Sequence, residues 1–224
     1  MGDYNVSIGD NEMPLFLNKF PSLPINGDHK TCACIGSSGI LLDKEYGELI
    51  DTYDIVIRMN DSRIYNYEKH VGTKTNIRIL NGSTFSGTSD PIRFPKGGDR
   101  DWIFSEETKN QTFIVKSWNN EEFAYGILKN QNRNPINFFN PHFTLYCNNL
   151  TGNQEATTGF IGIMFALMFF ERVDLFGFGF YQEGNWKKFH FYEEVQQYKP
   201  GHDFVNEKNL IEGFEKQNKI KIYR

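Results

Sequence analysis

The sequence predicts a single α/β domain with a central, mostly parallel sheet flanked by helices. Three observations predict it. Short β-rich runs alternate with helical stretches, and strand–helix–strand order calls for crossovers and therefore a parallel sheet. The first such run, TCACI at 31–35, is apolar and stops at Gly36-Ser37-Ser38-Gly39, as a buried strand ending in a tight turn does. The 224 residues are 39% hydrophobic and 16% aromatic, enough for one packed core and incompatible with intrinsic disorder.

Each element follows in order. Residues 1–29 show little periodicity and read as an irregular leader, which leaves 30–224 as the domain. After the first strand, residues 40–53 place apolar Leu41, Leu42, Tyr46, Leu49 and Ile50 near a 3.6-residue period, so a helix is expected. Strands are expected at 54–59 (DIVIRM), 75–80 (TNIRIL) and 112–116 (TFIVK). Residues 82–101 are rich in Gly, Ser, Thr, Pro and charge and read as a long loop. A helix is expected at 119–130, then a strongly apolar one at 158–171, followed at once by a strand at 173–178. The polar stretch 182–188 reads as a lid. An amphipathic helix at 203–217 and a strand at 220–223 close the chain.

Charge and cysteine content exclude several functions. Lys and Arg number 24 against 28 Asp and Glu, a net charge of −4, which argues against a nucleic-acid backbone binder. Three cysteines, Cys32, Cys34 and Cys147, cannot build a disulfide framework, and there is no CxxC zinc pair. The longest apolar run, 159–170, is far short of the ~20 residues of a membrane span, and no segment reads as a signal peptide. The expectation is a soluble chain of a reducing, cytoplasmic compartment.

In an open α/β sheet, ligands bind beyond the carboxyl ends of the strands. Three features fall there: Gly36-Ser37-Ser38-Gly39, Asn60, and Thr157-Thr158-Gly159 at the start of the apolar helix. Small residues admit a ligand close to the backbone, and a helix start favours an anion, so a nucleotide or phosphate pocket is expected. Each also has a bland reading, as a plain turn or a helix cap without ligand. There is no GxGxxG and no GxxxxGK[ST], which speaks against a dehydrogenase, a methyltransferase and a P-loop NTPase. Of five histidines, His190 and His202 lie in turn-like context near the last helix, where imidazole can serve as general base, as leaving-group stabiliser, or as a solvated or structural group. Their spacing does not fit HExxH zinc binding. Glu207, five residues after His202, either orients that ring or decorates a helix start.

Taken together these residues form a pattern. Residues 32–39 (CACIGSSG), Tyr46-Gly47, Ile50-Asp51, 54–60 (DIVIRMN) and 71–75 (VGTKT) resemble the large sialyl motif of the eukaryotic-type sialyltransferases. Residues 140–143 (NPHF) resemble that family's NPxF segment. Thr157-Thr158-Gly159 through 173–179 (VDLFGFG) resembles its small motif, His190-Phe191-Tyr192-Glu193 its third, and His202 to Glu207 its very small HxxxxE motif. Four motifs in the family's order cover 31–75 and 140–207.

The resemblance implies a Rossmann-like, variant GT-A glycosyltransferase fold. It also implies inverting, metal-independent transfer of sialic acid from CMP-sialic acid to a glycan hydroxyl, with no cofactor. Gly36, Ser37, Ser38, Gly39 and Asn60 would hold the cytidine monophosphate. Thr157, Thr158 and Gly159 would contact the donor's phosphate, ribose or carboxylate. His190 would bond the departing phosphate, His202 would act as general base, and Glu207 and Tyr192 would support them. Asp99-Arg100-Asp101 then reads as a loop rather than a metal-holding DxD. The expected partners are the nucleotide-sugar donor and a glycan acceptor on glycoprotein, glycolipid or oligosaccharide, with no nucleic acid and no membrane span. Two alternatives stand beside this: transfer of another CMP-activated acidic sugar such as Kdo, and a CMP-binding module without transfer.

The chain departs from the family in places. Ser37 stands where the family carries Asn, and Thr157 where it carries Ser. The family's small-motif cysteine, which pairs with the large-motif position held here by Cys32, is replaced by Phe170. That bridge cannot form, which strengthens the expectation of folding outside the Golgi lumen. A Golgi location is expected only for a truncated chain.

Overall fold

The computed structural model describes residues 30–85, 102–116, 126–152, 154–179, 190–192 and 201–224. Among the described residues seven strands form one sheet: β1 (Thr31–Ile35), β2 (Ile55–Met59), β3 (Ile77–Asn81), β4 (Thr112–Lys116), β5 (Ile136–Phe138), β6 (Arg172–Phe176) and β7 (Ile220–Tyr223). Their spatial order is β5-β4-β3-β2-β1-β6-β7, and every neighbouring pair is parallel. The chain walks outward from β1 to β5, then returns to the other side of β1 for β6 and β7. The point of reversal lies between β1 and β6, where α/β sheets open a crevice.

Among the described residues three longer helices cover the sheet: α1 (Pro141–Leu150), α2 (Thr158–Phe169) and α3 (Phe204–Lys216). The α2 sequence is apolar all round, and a helix of that kind is stable only when buried. It packs on Cys32, Cys34, Ile57 and Ile79 in the main core. Alternate strand residues Ala33, Ile35 and Val56 point the other way, into a second core with Tyr53 and Phe176. Both faces are covered, as parallel strands require. Among the described residues no helix is long and apolar enough to cross a membrane.

The structure departs from the sequence reading at several elements. The helix expected at 40–53 is broken into a 3-10 turn, Gly39–Asp43, and a short helix, Gly47–Asp51. The cause is packing: a Cβ at Gly47 would lie 2.2 Å from Glu68 O, so the chain is pressed against the Glu68–Val71 turn and cannot continue one helix. A helical turn, Gly82–Phe85, opens the expected loop at 82–101. Of the helix expected at 119–130, residues 126–130 are helical and the remainder lies outside the described residues. The leader, the Asp99-Arg100-Asp101 loop and the 182–188 stretch also lie outside them. β5 and α1 were not anticipated.

Candidate active site

The Gly36–Gly39 loop is held at the reversal point by its own backbone. Gly36 N–H donates to Phe176 O at 2.8 Å and Ser38 N–H to Gly177 O at 3.0 Å, which extends the β1–β6 pairing past the strand ends. A Cβ at Gly36 would lie 2.5 Å from Gly177 O, so only glycine permits this approach. These two amides are therefore committed to the fold rather than to a ligand. Ser38 Oγ accepts from Ile40 N–H at 3.5 Å and caps the 3-10 turn. Ser37 O accepts from Phe191 N–H at 2.9 Å. That bond places His190 and Tyr192 beside the loop, with their rings stacked at 5.2 Å between centroids.

Asn60 follows β2 in the left-handed region, with φ of 47°. Its N–H donates to Ile79 O at 2.8 Å, and its Oδ1 accepts from Asn81 N–H at 2.9 Å. The carboxamide NH2 is the end that remains for a ligand. Its carbonyl accepts from Arg78 Nη1 at 2.7 Å. Arg78 is fully buried, and burial lowers its pKa to about 10. A buried guanidinium bonded to the Asn60 carbonyl, to Ser62 O and to Gln111 Oε1 fixes this turn firmly.

The other side of the crevice is the start of α2. Thr157 is its N-cap: Oγ1 accepts from Phe160 N–H at 3.0 Å and its carbonyl accepts from Ile161 N–H. The first four amides of a helix have no intrahelical acceptor, so those of Thr158 and Gly159 are the donors this end presents. Phe178 bridges the two sides, with ring atoms 3.3 Å from a Cβ built at Gly36 and 3.1 Å from one built at Gly159.

A short strap, 154–157, leads into that helix, and all four of its carbonyls and the N–H groups of Ala156 and Thr157 are bonded. Thr151 Oγ1 donates to Gln154 O at 3.0 Å, and Ala156 N–H donates to Asn148 Oδ1 at 2.9 Å. Lys116 Nζ donates to Ala156 O at 2.7 Å. Thr157 N–H and Oγ1–H both donate to the Glu207 carboxylate at 2.7 Å. The remaining carbonyl, Glu155 O, lies 2.6 Å from His202 Nδ1. A carbonyl oxygen can only accept, so Nδ1 carries the hydrogen. In the neutral ring the lone pair is then on Nε2.

Glu207 is buried, and burial pushes its carboxyl pKa up to about 7 although Thr157 and Lys116 pull it down. It serves the helix start rather than the imidazole: its partner is Thr157, and the group that orients His202 is a backbone carbonyl. The structure thus brings together Gly36, Ser37, Ser38, Gly39 and His190 on one side, and Thr157, Thr158, Gly159, His202 and Glu207 on the other, with Asn60 at the next strand end. Reasoning from sequence missed Lys116, Asn81 and Glu155. The first two are last residues of strands at the carboxyl edge, so the rule that found Asn60 also points to them.

The fold is that of a Rossmann-like α/β domain, open at the reversal between β1 and β6. Residues 6–219 match the family model described as glycosyltransferase family 29 (sialyltransferase), and the chain belongs to that family. A human CMP-N-acetylneuraminate-β-galactosamide-α-2,3-sialyltransferase is 30% identical over 210 residues, covering 87% of this chain and 58% of that protein. A β-1,6-galactosyltransferase of Arabidopsis thaliana is 26% identical over 213 residues, covering 83% of this chain and 50% of that protein. The chain therefore spans under three fifths of the length of these curated relatives. The crystal structure of a mammalian sialyltransferase with Gal-β-1-3GalNAc-ortho-nitrophenol superimposes with a TM-score of 0.67 at 25% identity, over 87% of this chain and 69% of that one.

Proposed function

We propose that the chain transfers sialic acid from CMP-sialic acid to a glycan hydroxyl, with inversion and without a metal. The observation that carries this is the bond between His202 Nδ1 and Glu155 O, which leaves Nε2 as a base. In the proposed step Nε2 takes the acceptor hydroxyl proton and the acceptor oxygen bonds to the anomeric carbon. The bond from that carbon to the phosphate oxygen breaks, and CMP leaves with the electron pair. His190 donates to the departing phosphate, and the Thr158 and Gly159 amides offset its charge at the helix start. The Asn60 carboxamide and the Gly36–Gly39 loop hold the nucleotide. Preorganised donors of this kind supply the stabilisation for which other transferases use a metal.

The test is a donor panel with CMP or nucleotide release as readout, in the presence and absence of EDTA. CMP-sialic acid, CMP-Kdo and UDP-galactose form the panel, the last because one relative bears a galactosyltransferase name. The expected result is turnover of CMP-sialic acid, unchanged by EDTA. Preference for CMP-Kdo or UDP-galactose would reassign the sugar, and loss of activity in EDTA would return attention to Asp99-Arg100-Asp101.

A reducing compartment is part of the same proposal. Cys32, Cys34 and Cys147 are free and buried, and Phe170 belongs to the same core as Cys32.

A further inference from the structure

We infer that the Lys116–Glu155 ion pair is a positioning device for His202, acting through the peptide that joins Glu155 to Ala156. The inference rests on the proposed role of His202 as base. Three facts carry it. Lys116 ends β4 after the apolar Phe113, Ile114 and Val115, and its side chain is only 4% exposed. Placing an ammonium there opposes burial, so it needs partners. Those partners are Ala156 O at 2.7 Å and the Glu155 carboxylate at 3.0 Å.

The geometry explains how this reaches the imidazole. Glu155 O and Ala156 N–H belong to one rigid peptide plane. Asn148 Oδ1 holds the N–H end, and His202 Nδ1 bonds the carbonyl end. The next carbonyl, Ala156 O, is held by Lys116, and Glu155, which bears the plane's carbonyl, is held through its side-chain carboxylate on the same ammonium. Without the ammonium, Ala156 O is a buried acceptor lacking a donor, and the strap must turn to find one. That turn moves Glu155 O and with it the orientation of the ring. The Glu155 carboxylate is 64% exposed, so the pair adds little to stability. Its consequence is the direction of a carbonyl.

The test uses the full chain. In K116M, kcat for transfer falls roughly 10- to 100-fold, the penalty of a misplaced catalytic group. The donor KM and CMP affinity stay near their original values. Nitrogen NMR of His202, assigned by its loss in H202A, reads the tautomer directly and independently of activity. The unmutated chain shows the Nδ1–H form, and K116M shows a mixture of both forms. E155Q, at an exposed position that does not threaten folding, shifts kcat and tautomer in the same direction by a smaller amount. A wild-type kcat and tautomer in E155Q, or in a folded K116M, overturns the inference. So does a tautomer mixture in the unmutated chain. Full turnover in H202A is a separate failure, of the proposed base itself.

Discussion

At the scale of single residues, Glu207 is the most informative acid in the site. Its carboxyl has a pKa near 7 in the folded chain against 4.5 for a free glutamate, raised first by burial. Between those values the folded chain binds the extra proton, so this group's contribution to stability falls as pH rises from about 4.5 to about 7. The difference amounts to roughly 3 kcal/mol. Denaturant unfolding at pH 5 and pH 7.5 should show that loss in the parent and not in E207Q, which lacks the titrating group. An equal pH slope in both would contradict it. Glu207 also shows what was legible at this scale. Its membership in the HxxxxE spacing could be read, but its partner could not, because Thr157 lies 50 residues earlier in sequence. The orienting group for His202 is a backbone carbonyl, which leaves no trace in side-chain composition.

At the scale of elements, the strands were legible and their surroundings less so. Apolar runs at 31–35, 112–116 and 220–223 became strands with those bounds. Strand β5 has three residues, with the polar Asn137 buried between half-buried Ile136 and Phe138, too short and of the wrong polarity for a periodic signal. Helix α1 carried a capping signal instead: Asn140 is its N-cap, accepting from His142 N–H at 2.9 Å, and Pro141 occupies the first position. The Gly36–Gly39 loop bears the clearest mutational prediction. G36A drives a Cβ to within 2.5 Å of a backbone carbonyl that cannot move without separating β1 from β6. We expect about 1–3 kcal/mol of destabilisation in thermal or denaturant melts and weaker CMP binding by calorimetry. Unchanged CMP affinity in G36A would show that the loop does not form the nucleotide site.

At the scale of the whole molecule, the fold joins β1 to α2 through packing alone. Phe170, at the end of α2, shares a core with Cys32, Cys34 and Cys147. Burial raises the pKa of the Cys32 and Cys147 thiols, so neither ionises readily. We expect iodoacetamide to leave all three cysteines unmodified in the folded chain and to label all three in guanidinium chloride. The Tm should be the same with and without dithiothreitol, and a reductant-sensitive Tm would contradict the reading. The sheet order β5-β4-β3-β2-β1-β6-β7 sets the crevice at the reversal between β1 and β6. Alternating elements implied a parallel sheet but not which strands adjoin, because strand neighbours depend on where each crossover returns. That reversal places the loop after β1, the helix before β6 and the two histidine segments around one opening. The direct test of this assembly is turnover and CMP binding in H202A. The account predicts CMP release from CMP-sialic acid reduced by roughly 10²–10⁴-fold with CMP affinity retained, whereas turnover at the parent rate would contradict it.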